Sequence, residues 1–366
     1  MPKFRFTEIA INSTEKKKPV EEDKFTYIGL EHLDSGTLTV SRWGSDIAPI
    51  GEKLVMKKGD VLFGKRRAYQ KKVGIAPFDG IFSAHGMVLR PREEVITKEY
   101  FPLFISSDYF LNEAIRISVG SLSPTVNWKD LKDLEFTIPS IEEQKRITPL
   151  IWAAIEAKNA YKEQIRCTDD LVKSQFIEMF GDTVPEIQKY DTVPLDEVFD
   201  KPQGGEWGTD DDAGTGTPVL RTTNFTDGGY VDYSDVATRI IDAKKVEKKA
   251  LLSGDILIEK SGGSNDKPVG RVVFFEGESG KYLNNNFTAR LHLNGRYNLG
   301  KLYTFFFMFV NYWADGTRLY EGKTTGIHNL HLTEYLQNTR IPLAPVDAQE
   351  RFEQFARQSD KSKFVV

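Results

Sequence analysis

The chain has 366 residues, 40% apolar and 28% charged, with a net charge of −4. That is the balance of a globular protein large enough for two domains, without the global basicity that marks many nucleic-acid binders. One cysteine, Cys167, excludes an internal disulfide and fits a reducing compartment.

The N-terminal stretch MPKFRFTEIAINSTEKKK lacks an uninterrupted apolar core before a cleavage site, so it does not read as a signal peptide. Short strands are expected at Phe25 to Leu30, Leu38 to Arg42, Asp60 to Phe63, Gly74 to Pro77 and Met87 to Arg90, punctuated by Gly, Pro and Asp. From Lys57 to Lys72 there is one acid, Asp60, among seven bases. Such a run is either a solvated loop or a phosphate-binding patch, and charge alone does not choose between them. Helical patches follow at Lys98 to Ser106 and Asp108 to Ile117.

Residues 140 to about 180 read as one long helix. Ser140 and Glu143 form a capping-box start, and Gly181 is placed to end the helix in the left-handed conformation. Ile147, Ile151, Ala154, Lys158, Tyr161, Ile165, Thr168, Val172, Gln175 and Met179 alternate in steps of four and three, a heptad seam. Leu150, Ile155, Leu171 and Phe176 widen it. Pro149 interrupts the pattern and predicts a kink or a start nearer that residue. At about 1.5 Å per residue the helix is roughly 60 Å long.

The second half repeats the β-rich character, with strands expected at Pro218 to Arg221, Asp255 to Glu259, Val269 to Phe275 and Phe287 to Leu293. A helix is expected at Leu299 to Trp313; its apolar run Leu302 to Val310 is too short to span a bilayer and reads as buried. No membrane contact is expected, and the expected location is the cytoplasm. The run from Asp347 to about Lys363 begins like the first long helix but stops after about four turns.

The two halves echo each other. Ile138-Pro139 and Ile341-Pro342 lie 203 positions apart, and the Gln-x-Arg triplets at Gln144 and Gln349 lie 205 apart. Gly59-Asp60-Val61-Leu62 matches Gly254-Asp255-Ile256-Leu257, Val73-Gly74 echoes Val269-Gly270, and Gly120 to Asn127 has the outline of Gly322 to Asn329. This period is far longer than the roughly 20–50 residues of a solenoid. It describes a duplicated unit of domain plus helix, a two-fold object from one chain.

The order of a β-rich domain, I-P-x-x-x-x-E-Q-K-R-I (one residue short here), a helix ending K-S-Q-F-I-E-M-F-G-D (Lys173 to Asp182), a second β-rich domain and a second I-P…Q-x-R start resembles the DNA-specificity subunit of type I restriction–modification systems. The resemblance covers essentially the whole chain. It implies an α+β fold, with two β-rich target recognition domains in pseudo-two-fold arrangement, separated by long coiled-coil-type helices. The boundaries implied are 1–139 and 183–342 for the recognition domains, 140–182 for the central spacer helix and 343–366 for a short C-terminal spacer helix. It also implies a non-catalytic subunit that reads a bipartite asymmetric site on double-stranded DNA. Partners would be two methyltransferase subunits and, through them, restriction/translocase subunits. A truncated or orphan specificity protein, acting as a DNA-binding or interaction scaffold, is the alternative. The short final helix departs from the family pattern.

Reading bases requires forked donors and acceptors at the groove floor, with cations for phosphate. In the first domain Lys65, Arg66, Arg67, Tyr69, Gln70, Lys71 and Lys72 supply these on a loop after a strand, joined by Ser123 and Thr125. In the second, Lys260, Ser261, Asn265 and Lys267 follow the matching strand, and Asn265 could read adenine. Arg221, Arg271, Lys323, Thr324, Thr325 and His328 complete that set. Each alone is as well explained as ordinary surface polarity; equivalent placement in two repeats strengthens them. Different residues at equivalent places suit an asymmetric site.

Catalytic signatures are missing from the sequence. There is no G-x-x-x-x-G-K-[ST] loop and no Asn-Pro-Pro-aromatic or Asp-Pro-Pro-aromatic tetrad. His328 and His331 lack further His or Cys nearby, so no metal and no cofactor is expected.

Overall fold

The computed structural model describes residues 2–181, 189–264, 267–324 and 327–363, with the backbone alone described at 323, 324 and 360–363. Helices and sheets are mixed, an α+β fold. The chain divides into two compact units, Met1–Asn159 and Ala160–Val366. The division falls inside one unbroken helix, Ile141–Phe180.

In the first unit an antiparallel sheet runs in the order Ala10–Ser13, Met87–Pro91, Val61–Phe63, Val73–Ile75. A second sheet orders Lys16–Lys17, Lys53–Met56, Gly80–Phe82 and Tyr27–Ile28, its last pair parallel. The strand expected at Phe25 to Leu30 shrinks to Tyr27–Ile28 between two 3-10 turns. Leu38 to Arg42 forms no regular strand, although Leu38 and Val40 are buried in the core. Helices Phe101–Ser106 and Asp108–Arg116 close the apolar side, with Phe6, Phe104, Phe110 and Phe136 in mutual ring contact.

The second unit reuses this frame. Its main sheet orders Gln203–Gly204, Thr288–Leu291, Ile256–Glu259, Val272–Phe274, the same sequence of neighbours. Beside it lie Ala237–Arg239, Thr217–Leu220 and Leu283–Asn284, again ending on a parallel pair. The apolar helix Lys301–Trp313 is buried from Leu302 through Tyr312, as its composition required. In both units a short strand near the start pairs antiparallel with one just before the repeated helix start, Lys3–Arg5 with Glu135–Thr137 and Thr192–Pro194 with Arg340–Pro342.

The pairing corrects two sequence echoes. Val73 sits opposite Phe63 and Val272 opposite Ile258, so Val73 corresponds to Val272 rather than Val269. The intervening loop is four residues longer in the second unit. The helix at Trp128–Leu131 is preceded by Asn127 and that at Leu332–Asn338 by His331, so Asn127 corresponds to His331, not Asn329.

The echoed Gln explains itself in the structure. Gln144 is fully buried; its Oε1 accepts from Thr97 N at 2.7 Å and its Nε2 donates to Val95 O and Pro139 O, each at 2.9 Å. Gln349 repeats the set: Oε1 accepts from Gly300 N at 2.7 Å, and Nε2 donates to Asn298 O at 2.9 Å and Ala344 O at 2.8 Å. Each buried glutamine saturates its amide on backbone groups and ties a helix start to the loop before the domain's own helices. Asp60 and Asp255 form a second matched pair. Each follows a glycine at φ near +90°, and each accepts from a backbone N–H three residues earlier, at 2.8 and 2.7 Å. Arg90 grips Asp60 with two 2.8 Å bonds, whereas Asp255 meets His292 at 2.6 Å.

The long helix begins at Ile141, with Ser140 Oγ accepting from Glu143 N at 3.3 Å, and continues without a break past Pro149. The expected start near Pro149 is therefore wrong: the Gln144 clamp and burial of Thr148 hold the first turns in place upstream of it. Trp152 and Ile155 pack on the first core, and Val172, Phe176 and Phe180 enter the second. Of the expected seam, Ile151, Ala154 and Lys158 are exposed. Gly181, at φ +94°, follows the last turn, its N–H donating to Ile177 O. The terminal helix Val346–Lys363 packs Phe352 against Phe176 and Phe180, at ring distances of 5.2 and 5.7 Å. Among the described residues no helix is long and apolar enough to cross a membrane.

Candidate nucleic-acid interface

At one edge of each unit, the loop after the central strand meets a later loop by backbone pairing. In the first unit Lys65 O accepts from Val126 N at 2.9 Å, Arg67 N donates to Pro124 O at 2.7 Å, and Arg66 bridges to Thr125. In the second, Lys260 O accepts from Leu330 N at 2.8 Å, and Ser261–Gly262, Ile327–Leu330 and Glu321–Thr324 form a three-stranded ribbon. The two lysines thus hold the same place. Both are half-buried, and burial holds each ammonium below its ordinary range, helped by Lys16 beside Lys65 and Lys249 beside Lys260.

Around Lys65 the first unit gathers Lys16 and Lys53 in a cleft of about 230 Å³, with Asn12, Thr14 and Trp128 also on its wall. Arg66 and Arg67 are exposed; Arg67 Nε lies 3.5 Å from Ser123 Oγ. Arg67 and Lys71 both adopt left-handed backbone, at φ 56° and 49°, bracketing the 3-10 turn Ala68–Gln70. That conformation costs a non-glycine residue about 1–2 kcal/mol, and the buried Ala68 and the Arg67–Pro124 bond offset it. The turn leaves Tyr69 54% exposed and Gln70 half-buried.

The remaining candidates are divided. Lys71 pairs with Asp108, and Lys72 Nζ donates to Leu30 O at 2.7 Å. Arg271 corresponds to Lys72, and it donates to Phe225 O and Thr222 O at 2.9 Å each. Both cations pin the carbonyls of matching 3-10 turns, Leu30–His32 and Thr222–Asn224. Arg221 bonds Asp235, and Lys267 bonds Asp227 at 2.7 Å. Ser261 Oγ donates to Asn329 Oδ1 at 2.6 Å, and His328 is buried against Glu321 at 3.1 Å. Glu259 stands where the first unit has Gly64; burial raises its carboxyl above the ordinary range against the pull of Arg271. Asn265 and Thr325 lie outside the described residues, as do the side chains of Lys323 and Thr324. Among the described residues no group of three or more His, Cys, Asp or Glu is placed to hold a metal.

Three residues at these edges carried no motif in the sequence. His85 O accepts from Arg66 N at 3.2 Å, and its ring Nε2 lies 3.4 Å from Arg66 Nη1. Burial, then Arg66, Lys65 and Lys53, hold that ring below the usual imidazole range. Phe287 occupies the equivalent place, its O accepting from Lys260 N and Ser261 N. Leu122, 90% exposed, lies one residue from Ser123. The useful signal was position in the turn before a matched strand, not residue type.

The site is therefore a paired-loop edge with cations on an α+β frame, present once per unit. Residues 6–166 match the family described as type I restriction modification DNA specificity domain. The first unit thus resembles the DNA specificity domain of type I restriction–modification systems, the match covering less than half of the chain. Over 146 residues it is 25% identical to the type I restriction enzyme EcoDI specificity subunit of Escherichia coli; the match takes in 39% of this chain and 32% of that one, so about a third of the relative's length is spanned. A crystal structure of a type I restriction–modification S subunit from M. genitalium shares the fold, with a TM-score of 0.53 at 12% identity over 99% of this chain and 90% of that one. A chain from a study of type I restriction–modification complex assembly aligns over 99% of this chain and 91% of its own, at 19% identity and a TM-score of 0.48.

Proposed function

We propose that the chain is the DNA-reading subunit of a type I restriction–modification complex, with each paired-loop edge reading one half of a bipartite, asymmetric site. The supporting observation is the repetition of one edge geometry around a common lysine with different neighbours: Arg66 and Arg67 in one unit, Ser261 in the other. A shared cation serves the uniform phosphate backbone, while differing neighbours serve different bases. In this reading the recognition domains are 1–139 and 183–342. The helical segments 140–182 and 343–366 serve as spacer and as docking surface for two methyltransferase subunits. Restriction/translocase subunits join through these, and all chemistry belongs to the partners.

Single-molecule methylation sequencing of the host tests this. A split, adenine-methylated motif is expected to disappear when the gene is deleted and to return with it. With Arg66→Ala and Arg67→Ala the motif should return degenerate in one half only. An unchanged methylome after deletion refutes the reading.

A further inference from the structure

We propose that Phe287 is a base-contacting residue of the second unit, packing its ring on a thymine methyl group in the major groove, and that His85 holds the same place in the first unit. This rests on the DNA-reading role above and adds a contact to it.

The equivalence of the two positions is set by hydrogen bonding. Ser83 N donates to Ile28 O and Asn285 N to Leu220 O, both at 2.9 Å, and two residues later each chain offers a carbonyl, of His85 or Phe287, to the residue after the common lysine. The turn that carries Phe287 is locked from beneath. Asn284 and Asn285 are buried; Asn284 Nδ2 donates to Thr288 Oγ1 at 3.0 Å, Thr288 Oγ1 to Asn285 O at 3.1 Å, and Phe287 N to Asn285 Oδ1 at 3.2 Å. A satisfied buried polar network fixes one conformation. Here it fixes a benzyl ring that is 54% exposed, beside Lys260 and Ser261, in a unit whose helix Lys301–Trp313 buries each of its phenylalanines.

A phenyl ring has no donor or acceptor, so it can read only an apolar feature of DNA. In the major groove that feature is the C5-methyl group of thymine. The adjoining ribbon of Ser261–Gly262, Ile327–Leu330 and Glu321–Thr324 is an element of the kind that groove admits. His85, whose Nε2 faces the Arg66 Nη1 donor, has instead its Nδ1 left to meet a base edge. The same place in the two units therefore reads by different chemistry.

The test uses the chain assembled with its methyltransferase subunits, and duplexes of its methylated motif in which each thymine of the second half is replaced in turn by deoxyuridine. One replacement should weaken binding by the wild-type complex roughly four-fold, the worth of one buried methyl group. The same replacement should leave the Phe287→Ala complex unchanged, and Phe287→Ala should relax the motif at that position alone. Lys260→Ala, assayed alongside, should weaken all duplexes equally. If Lys260→Ala acts but Phe287→Ala leaves motif and deoxyuridine response as in the wild type, the thymine contact is refuted while DNA reading stands. If neither variant changes binding or motif, the DNA-reading role itself falls. A second half-site with no thymine on either strand also refutes the contact.

Discussion

In the first unit Lys72 reaches across to the carbonyl of Leu30; in the second, Arg271 reaches the carbonyls of Thr222 and Phe225. Beneath them Gln144 and Gln349 saturate themselves on the same three kinds of backbone partner. At the rim the agreement ends: Ser261 stands where the first unit has Arg66, and Phe287 where it has His85. The duplicated frame is held by buried polar groups whose loss would leave orphaned backbone, so it cannot drift far. The rim is less buried and free to differ, and such a difference is what the proposed reading of two unlike half-sites would require.

The largest effect should come from the frame. Gln144→Ala and Gln349→Ala each remove three hydrogen bonds and strand a part-buried N–H, of Thr97 or Gly300, at an expected cost of about 3 kcal/mol. Chemical denaturation followed by hydrogen exchange should find the two losses equal to within about 1 kcal/mol, with each loss of protection concentrated in the unit that carries the change. A near-neutral result at one site would break the equivalence of the two helix starts.

The rim comes next. Arg66→Ala or Arg67→Ala should cost roughly 1–3 kcal/mol on the cognate duplex if the guanidinium contacts a base, and relax the first half-site only. Ser261→Ala should act on the second half alone and more weakly, because its hydroxyl already donates to Asn329. Motif sequencing with both variants separates the halves; a change that relaxes both together contradicts independent reading.

How much of this was open to sequence reasoning follows from what each level depends on. The main-sheet strands at 60–63 and 255–259, the buried helix at 299–313 and the long helix were legible because periodicity and apolar runs report burial directly. The register of the repeat was not: Val73 corresponds to Val272, and a four-residue difference in the preceding loop is invisible until the strands are paired. The internal partners of Lys71, Lys72 and Arg271 were not legible, because composition shows charge without showing partners, and these lie 37, 42 and 46 to 49 residues away. Phe287 was passed over as the start of a strand, since exposure of an apolar residue is a tertiary property. The helix start expected near Pro149 lies upstream instead, because the Gln144 clamp outweighs the local penalty of the proline.

A smaller effect distinguishes the units by acid response. Glu259 has its carboxyl raised in the folded state, chiefly by burial, so folding favours the protonated form. At neutral pH the charged form is a burden, and Glu259→Gln should stabilise the second unit by on the order of 1 kcal/mol. As pH falls through the raised folded value and then the ordinary glutamate value, the wild type protonates and the gain should vanish. The first unit, with Gly64 there, should show no such convergence. Melting curves of wild type and variant across pH 4 to 8 check the sign; a gain that grows in acid would mean the ion pair with Arg271 outweighs burial.

The smallest predicted effect sharpens the division between rim and frame. A cation that neutralises a phosphate releases counterions, so its loss should lower the slope of log affinity against log salt by about one. Lys65→Ala and Lys260→Ala should each do so, because both sit at the paired-loop edge and their main electrostatic neighbours, Lys16 and Lys249, are cations. Lys71 is already paired with Asp108, and Lys72 is spent on the Leu30 carbonyl. Moving either to a phosphate means giving up an internal partner, so the net exchange of counterions is small. Lys71→Ala should therefore change the salt slope by only a few tenths, and Lys72→Ala should appear mainly as a loss of stability in the Leu30–His32 turn. Binding titrations from 50 to 300 mM salt, run on the assembled complex, measure both slopes. A Lys71 slope change equal to that of Lys65 would show that the Asp108 pair opens on DNA, and would move the turn Ala68–Gln70, with Tyr69 at its tip, into the interface.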